Sequence, residues 1–349
     1  MTNAEKIAAI KVELDKVIAG YDHIKDRTLI CLLAGGHVLY RAVPGTAKTT
    51  LAKTLKSTVL GARDARYQMT PDMKPSDVVG VEIYNQKTGE FTTKKGPMIG
   101  AHFTLLDEIN RTTPKTLSAT LQAMQEGSVT VGDTTYNLED LFFVMATMNP
   151  VEQEGTFSLP EATLDRFAML LDMRYVARND EIKMLKNISV HGRTALTAVQ
   201  GVLTIEEILA MRSEIEKIAG RASDTVLGYI VDLTRGTRPE DDKFNEVHDK
   251  PHAEEARILA TRNEQPLTNE MLRNIIMLGA SPRCEIWTLH CAAAHAFIQG
   301  KDNIDPDDVK AVFRDVARGR ILINPVFEQD GYNADKVIDA VLARVPVIR

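Results

Sequence analysis

An α/β domain followed by a smaller helical domain is the fold the sequence predicts, and three observations predict it. Three apolar runs of strand length, HVLYRAV (37–43), HFTLLDEINR (102–111) and LFFVMATMNP (141–150), each lead into polar or charged residues. The first passes through PGTAKTT into TLAKTLKSTVL (50–60), where helical spacing resumes. After Arg178, apolar positions recur at helical spacing in 179–189, 205–218, 222–235, 268–278, 284–299, 306–318 and 334–344, and the one strand-like stretch is RILI (320–323). Continuous apolar runs are expected of strands buried on both faces of a parallel sheet, with helices as the covering layers. The division this suggests is an α/β core over 1–195 and a helical lid over 196–349, with a charged insertion at about 237–270.

The bulk numbers fit that picture. A chain of 349 residues is long enough for two cores, and 44% hydrophobic with 26% charged residues is an ordinary globular mixture. The net charge of -6 counts against a general nucleic-acid binder. Cys31, Cys284 and Cys291 form neither a C-x-x-C metal pattern nor an even set for disulfides, so a reducing, cytoplasmic location is expected. The N-terminal twenty residues are charged and amphipathic, unlike a signal peptide. No apolar run approaches the roughly 18 residues that span a bilayer.

Taken in order, residues 5–18 have helical spacing that stops at Gly20, and a second helix is expected over 22–34, ending at Gly35-Gly36. The strand at 37–43 then delivers AVPGTAKTT (42–50). This resembles a phosphate-binding loop, G-x-x-x-x-G-K-[ST], with Ala42 and Ala47 in the glycine places and a glycine at Gly45. Strand, glycine-containing turn and helix is the context that such a loop needs. The backbone N–H groups of Pro44-Gly45-Thr46-Ala47-Lys48-Thr49-Thr50 that remain after Pro44 would face anionic oxygen at a helix N-terminus. Lys48 would reach the β and γ phosphates and Thr49 would help hold Mg²⁺. Ala47 is tolerable there if its φ is negative. The bland alternative is an ordinary helix start with an incidental Lys-Thr.

The second apolar run ends in Asp107-Glu108. Buried carboxylates are costly unless paired, and the carboxyl end of a parallel sheet is where α/β proteins bind ligands. Asp107 would hold Mg²⁺ through water, and Glu108 would orient and polarise an attacking water. The third run ends at Asn149, which could bond a γ-phosphate or that water; Asn before Pro is also a common turn former.

These strands in this order resemble an AAA+ ATPase, with Walker A at 42–49, Walker B at 103–108 and sensor 1 at Asn149. LLAGGHVLYRAVPGTAKTTLAKTL, PSDVVGVEIYNQKTGEF, LLDEINRTTPKTLSATLQAMQEGSVTV, MNPVEQEGTFSLPEATLDRF and GASPR look like the MoxR family of AAA+ proteins, over roughly 15–235 and 275–349. The resemblance implies an AAA+ P-loop core, a parallel sheet flanked by helices with a helix-2 insert hairpin, and a C-terminal all-helical lid. In that family Ala before the Lys is common, so Ala47 fits, whereas Ala42 stands where Gly is usual and bears on nucleotide affinity. EIYNQKTGEFTTKKG (82–96) is the expected insert hairpin, turning at Lys87-Thr88-Gly89, and SVTVGDTTYNL (128–138) is a second hairpin turning at Gly132-Asp133.

Further roles follow from the resemblance. Arg166, in LPEATLDRF (159–167), falls where related ATPases carry an arginine finger acting in trans; an intrachain pair to Asp165 or Glu161 is its alternative, and Arg111 is the competing finger. Ser281 and Pro282 are expected to open a helix, with Arg283 as sensor 2. The adenine is expected near Gly20 and Tyr21, although Gly-Gln is usual there. His248 and His252 in the 237–270 segment suggest a metal site only on a helix, which Pro251 disfavours; a solvated loop with a short helix at 252–262 is the better reading. The implied function is Mg²⁺-dependent ATP hydrolysis by a hexameric ring that remodels or matures client proteins as a chaperone, with a von Willebrand A-domain protein as partner. A nucleotide-binding scaffold with little turnover and a nucleic-acid remodeller are the alternatives.

Overall fold

The computed structural model describes residues 2–43, 45–87, 89–149, 157–191, 196–240 and 267–347. Pro44, Thr88 of the expected hairpin turn, and most of the 237–270 segment with His248, His252 and the expected 252–262 helix lie outside the described residues. The chain divides into two compact units, Met1–Arg166 with Leu171–Arg212, and Phe167–Leu170 with Ser213–Arg349.

The first unit opens with α1 (Asn3–Val17) and α2 (Asp22–Leu33). Thr2 and Glu5 form a reciprocal capping box on α1, satisfying N–H groups that the first turn leaves unpaired. A five-stranded sheet follows, with β1 (Val38–Ala42), β3 (Asp64–Gln68), β6 (Phe103–Asp107), β9 (Phe143–Met148) and β10 (Met169–Met173) in the order β10-β1-β9-β6-β3, Met169 and Leu170 of β10 being counted with the second unit. The β1–β9, β9–β6 and β6–β3 pairs are all parallel. Parallel neighbours need crossover connections, and α3 (Lys48–Ser57) and α5 (Pro114–Glu126) supply amphipathic ones. The sheet core is drawn from the expected apolar runs: Tyr40, Leu106, Phe103 and Phe143 are all essentially inaccessible.

Helix α3 starts at Lys48, two residues before the expected start, and ends at Ser57; Val59–Leu60 forms β2, paired in parallel with β11 (Leu203–Thr204). After the short α4 (Pro75–Val79) come β4 (Gly80–Asn85) and β5 (Glu90–Lys95), the expected insert hairpin, in which Tyr84 lies opposite Phe91 with the rings 5.2 Å apart. The second expected hairpin is β7 (Ser128–Val131) with β8 (Thr134–Asn137). The unit also holds α6 (Glu161–Leu164) and α7 (Arg178–His191), and α8 (Ile205–Ala219) spans the division after Arg212.

The second unit is helical: α9 (Asp224–Arg235), α10 (Asn269–Ile275), α11 (Pro282–Ile298), α12 (Pro306–Ala317), α13 (Pro325–Gln329) and α14 (Ala334–Arg344). One expected helix is corrected. The 268–278 stretch is helical only to Ile275; Ile276–Leu278 is extended as β12 and pairs antiparallel with β13 (Leu322–Ile323). The expected strand at 320–323 thus has a partner that helical spacing concealed, because a β-branched pair at 275–276 suits either state. Ser281 accepts from the Arg283 N–H and Pro282 takes the first helical position, as expected.

Candidate functional site

The loop between β1 and α3 has two glycine-like positions of different character. Ala42 is the last residue of β1, extended and fully buried, so its methyl is part of the sheet core. Gly45 has φ 83° with open space where a side chain would project. Ala47 has φ 58° and ψ 23°, the left-handed region, against the expectation of a negative φ. The reason is local: Ala47 is the residue at which the chain turns into α3, its carbonyl already accepting from the Leu51 N–H at 2.8 Å. Thr46 is buried, with Oγ1 donating to the Val43 carbonyl at 2.8 Å, so its side chain braces the loop. No side chain caps α3, which leaves its first N–H groups, beside half-buried Lys48, Thr49 and Thr50, available to an anion.

The β6 end is tied to the strands on either side. Asp107 is 7% exposed. Its Oδ1 accepts from Thr147 Oγ1 of β9 at 2.7 Å, and its Oδ2 faces Arg66 Nη2 of β3 at 3.1 Å. Thr147 Oγ1 in turn accepts from the Glu108 N–H at 2.9 Å. Glu108 has φ 57° and ψ 54°, also left-handed, which turns the chain out of the strand into the 3-10 turn Ile109–Arg111. Its Oε2 accepts from Gln68 Nε2 at 3.1 Å and from Arg111 Nη1 at 3.0 Å. Arg111, the competing finger, is therefore engaged within its own chain. Asn149 follows β9 directly, and its carbonyl accepts from Asn110 Nδ2 at 3.2 Å.

Arg66, Gln68 and Thr147, which bond Asp107 and Glu108, are candidate-site residues that the sequence reading missed. The signal lies in the register, which no local sequence pattern gives: Gln68 pairs with Asp107 across β3 and β6, so the end of β3 faces the Asp-Glu pair.

Gly20 and Tyr21 form the turn between α1 and α2, with φ 70° and 58°. A side chain at Gly20 would meet the Asp180 carboxyl at 2.9 Å, so both conformation and space demand glycine. Tyr21 Oη donates to the Arg174 carbonyl at 2.7 Å, and burial pushes its phenol pKa up.

Arg166 follows α6, its N–H donating to the Thr163 carbonyl at 3.3 Å. The side chain is half-buried and its Nε is buried without a hydrogen-bond partner. Among the described residues no ion pair joins it to Asp165 or Glu161, so the intrachain alternative is not what the structure holds. It borders a cavity of about 270 Å³ shared with Thr112, Leu117, Phe157 and Pro160. Arg283 stands exposed in the first turn of α11, within the second unit. Among the described residues no His, Cys, Asp and Glu group could hold a metal on its own, and no helix is long and apolar enough to cross a membrane.

A parallel sheet that carries a glycine-containing loop into an uncapped helix, with an Asp-Glu pair at the end of a nearby strand, defines a P-loop ATPase-type core. The comparisons agree. The ATPase family associated with various cellular activities (AAA) matches residues 37–169, and the AAA lid domain matches 270–341. The chain belongs to the MoxR family of AAA+ ATPases. It is 32% identical to Chaperone MoxR1 of Mycobacterium tuberculosis, covering 95% of this chain and 80% of that protein. It is 37% identical to the uncharacterized protein YeaC of Bacillus subtilis, over 96% of this chain and 92% of that protein. A crystal structure described as a candidate ATPase from Cytophaga hutchinsonii superimposes with a TM-score of 0.82 at 36% identity, covering 99% of this chain and 96% of that one.

Proposed function

We propose that this chain is a Mg²⁺-dependent ATPase that assembles as a ring and remodels or matures partner proteins. The observation that carries the reading is the joining of an uncapped α3 N-terminus after the Gly45–Ala47 loop with a braced Asp107-Glu108 pair in one sheet. The donor set suits the substrate. N–H groups of 45–50 and Lys48 would hold the β and γ phosphates. Thr49 and Asp107 offer the hydroxyl and carboxylate oxygens that Mg²⁺ prefers, and the ion would neutralise phosphate charge when bound.

Glu108 would orient the attacking water and draw its proton, with Asn149 as a second hydrogen-bond partner. That requires Glu108 to exchange its bonds to Gln68 and Arg111 for one to water. Arg166 of one subunit would reach the γ-phosphate held by the next, a contribution of about 10³–10⁵ in rate in P-loop enzymes. Arg283 would touch the phosphates from the lid, and Gly20 and Tyr21 would lie by the adenine. A hexamer, a von Willebrand A-domain partner and a cytoplasmic location extend the reading by family resemblance. The scaffold alternative rests on Ala42 alone, and an extended, buried strand residue does not strain the loop.

The test is steady-state ATPase rate against protein concentration with Mg²⁺, wild type beside Glu108→Gln. A rate per subunit that rises with concentration and vanishes in Glu108→Gln, with ATP still bound, supports the reading. A flat, negligible wild-type rate despite confirmed ATP binding would move the function to the scaffold.

A further inference from the structure

A cleft inside the first unit is used by no part of the nucleotide site. It runs between α5 and the chain 157–166, has a volume of about 270 Å³, and is lined wholly by residues of Met1–Arg166. Leu117 and Leu121 are buried along it, whereas Ser118 of α5 and Ala162 of α6 are exposed, one on each wall. Phe157 lies beside them, 42% exposed, with its N–H donating to the Asn110 carbonyl at 2.7 Å.

Two polar residues of the lining are out of balance. Thr112 is 1% exposed and its Oγ1 has no hydrogen-bond partner, and the Arg166 Nε is likewise buried and unpartnered. Among the described residues no carboxylate pairs with the Arg166 guanidinium. Buried donors without acceptors are destabilising, and native proteins keep few of them. A half-buried guanidinium against apolar walls is costlier still unless an anion meets it. Packing accounts for the leucines and leaves the unpaired arginine beside them unexplained. The fork of a guanidinium matches a planar carboxylate, which accepts two parallel N–H bonds. The walls call for an apolar body. Ligand pockets run from about 300 to 1,000 Å³, so this cleft stands at the small end and suits one ring or a short chain.

We propose that this cleft binds a small amphipathic monocarboxylate, with its apolar body between α5 and Phe157 and its carboxylate on Arg166, and that the bound acid restrains ATP turnover. The second clause rests on the reading of Arg166 as acting in trans: a guanidinium held by a carboxylate in its own chain is not presented to the next subunit. Residues 45–50, Asp107 and Glu108 do not line the cleft. The acid should therefore lower kcat and leave the KM for ATP unchanged.

The probe is 4-phenylbutyrate, with 4-phenylbutan-1-ol as its uncharged counterpart. Binding to the full chain is measured by isothermal titration calorimetry for wild type, Arg166→Gln, Ser118→Trp and Ala162→Trp. The two tryptophans carry a ring into the cleft from exposed positions on its two walls, so neither overpacks the core. ATPase rate against ATP concentration is followed at saturating probe. Expected is binding that Arg166→Gln and the tryptophan variants weaken by about tenfold or more, an alcohol weaker than the acid by a similar factor, and a kcat that falls several-fold at constant KM. No binding at millimolar probe overturns the proposal. So does binding that Arg166→Gln or both tryptophan variants leave intact, and so does an alcohol that binds as well as the acid. Binding that maps to the cleft while turnover is unchanged keeps the site and overturns its regulatory clause. Arg166→Ala then locates the fault: an inactive variant leaves the trans reading standing without regulation by the acid, and an active one means that Arg166 is no finger.

Discussion

The two alanines in the glycine places of the phosphate loop are not equivalent, and restoring glycine at each should have opposite effects. Ala42 is fully buried and extended at the end of β1. Glycine there loses conformational freedom worth roughly 0.5–1 kcal/mol and a buried methyl worth about 0.8 kcal/mol. Ala42→Gly should therefore destabilise the chain by roughly 1.5 kcal/mol. Ala47 sits at φ 58°, where an L side chain costs about 1–2 kcal/mol. Glycine removes that strain and returns roughly 0.5–1 kcal/mol of it as entropy. Ala47→Gly should stabilise by about 0.5–1 kcal/mol. Urea unfolding followed by far-UV circular dichroism gives both signs, and titration with a fluorescent ATP analogue shows whether either change touches the site. Ala42→Gly should not tighten ATP binding. The reasoning is refuted if Ala47→Gly destabilises, or if Ala42→Gly is neutral and improves affinity.

Lys48→Ala should abolish measurable ATP affinity, and unchanged binding in the same titration would reject the loop assignment. Thr147→Val removes the hydroxyl that accepts from the Glu108 N–H and donates to Asp107; it should cost about 1–3 kcal/mol of stability and lower kcat, with Thr147→Ser restoring both, and a Val variant equal to wild type would sink the bracing argument. Burial holds the His37 pKa down at about 4, and its Nδ1 already accepts from the Val144 N–H. The unfolded chain then binds the extra proton between about pH 6.5 and 4, so this stability is present above that window and is lost as pH falls through it. From pH 7.5 to 5 wild type should lose roughly 2 kcal/mol more unfolding free energy than His37→Asn, and equal losses would show that His37 is not the acid-labile group.

The strands that carry the candidate site were legible because they are central. β1, β6 and β9 each have a neighbour on both sides, so each reads as a nearly unbroken apolar run. β3 is the edge strand, and its alternation of exposed and buried residues in DARYQ put Arg66 and Gln68 among polar letters with no reason to be noticed. Their importance exists only across the β3–β6 register. The β12–β13 pairing was hidden for another reason: two short strands far apart in sequence leave no local period, and a β-branched pair continued the helical spacing before it. The sign of φ at Ala47 was not readable at all, because a small side chain is compatible with either and only the direction of α3 decides.

That sign has a wider bearing. Among the described residues the non-glycine positions with positive φ are Tyr21, Ala47 and Glu108. Each costs of order 1 kcal/mol or more and persists only where its surroundings over-determine it. The surroundings are visible in each case: the Tyr21 hydroxyl on the Arg174 carbonyl, the Ala47 carbonyl inside the first turn of α3, and the Glu108 N–H on Thr147. A fold selected for stability alone would place glycine or asparagine at such turns. Strain retained at Ala47 and Glu108, which the loop and strand-end chemistry nominated, and at Tyr21, which family resemblance nominated, fits what those positions would present under the proposed function: a loop held open for phosphate, a carboxylate swung off the strand, and a fixed ring.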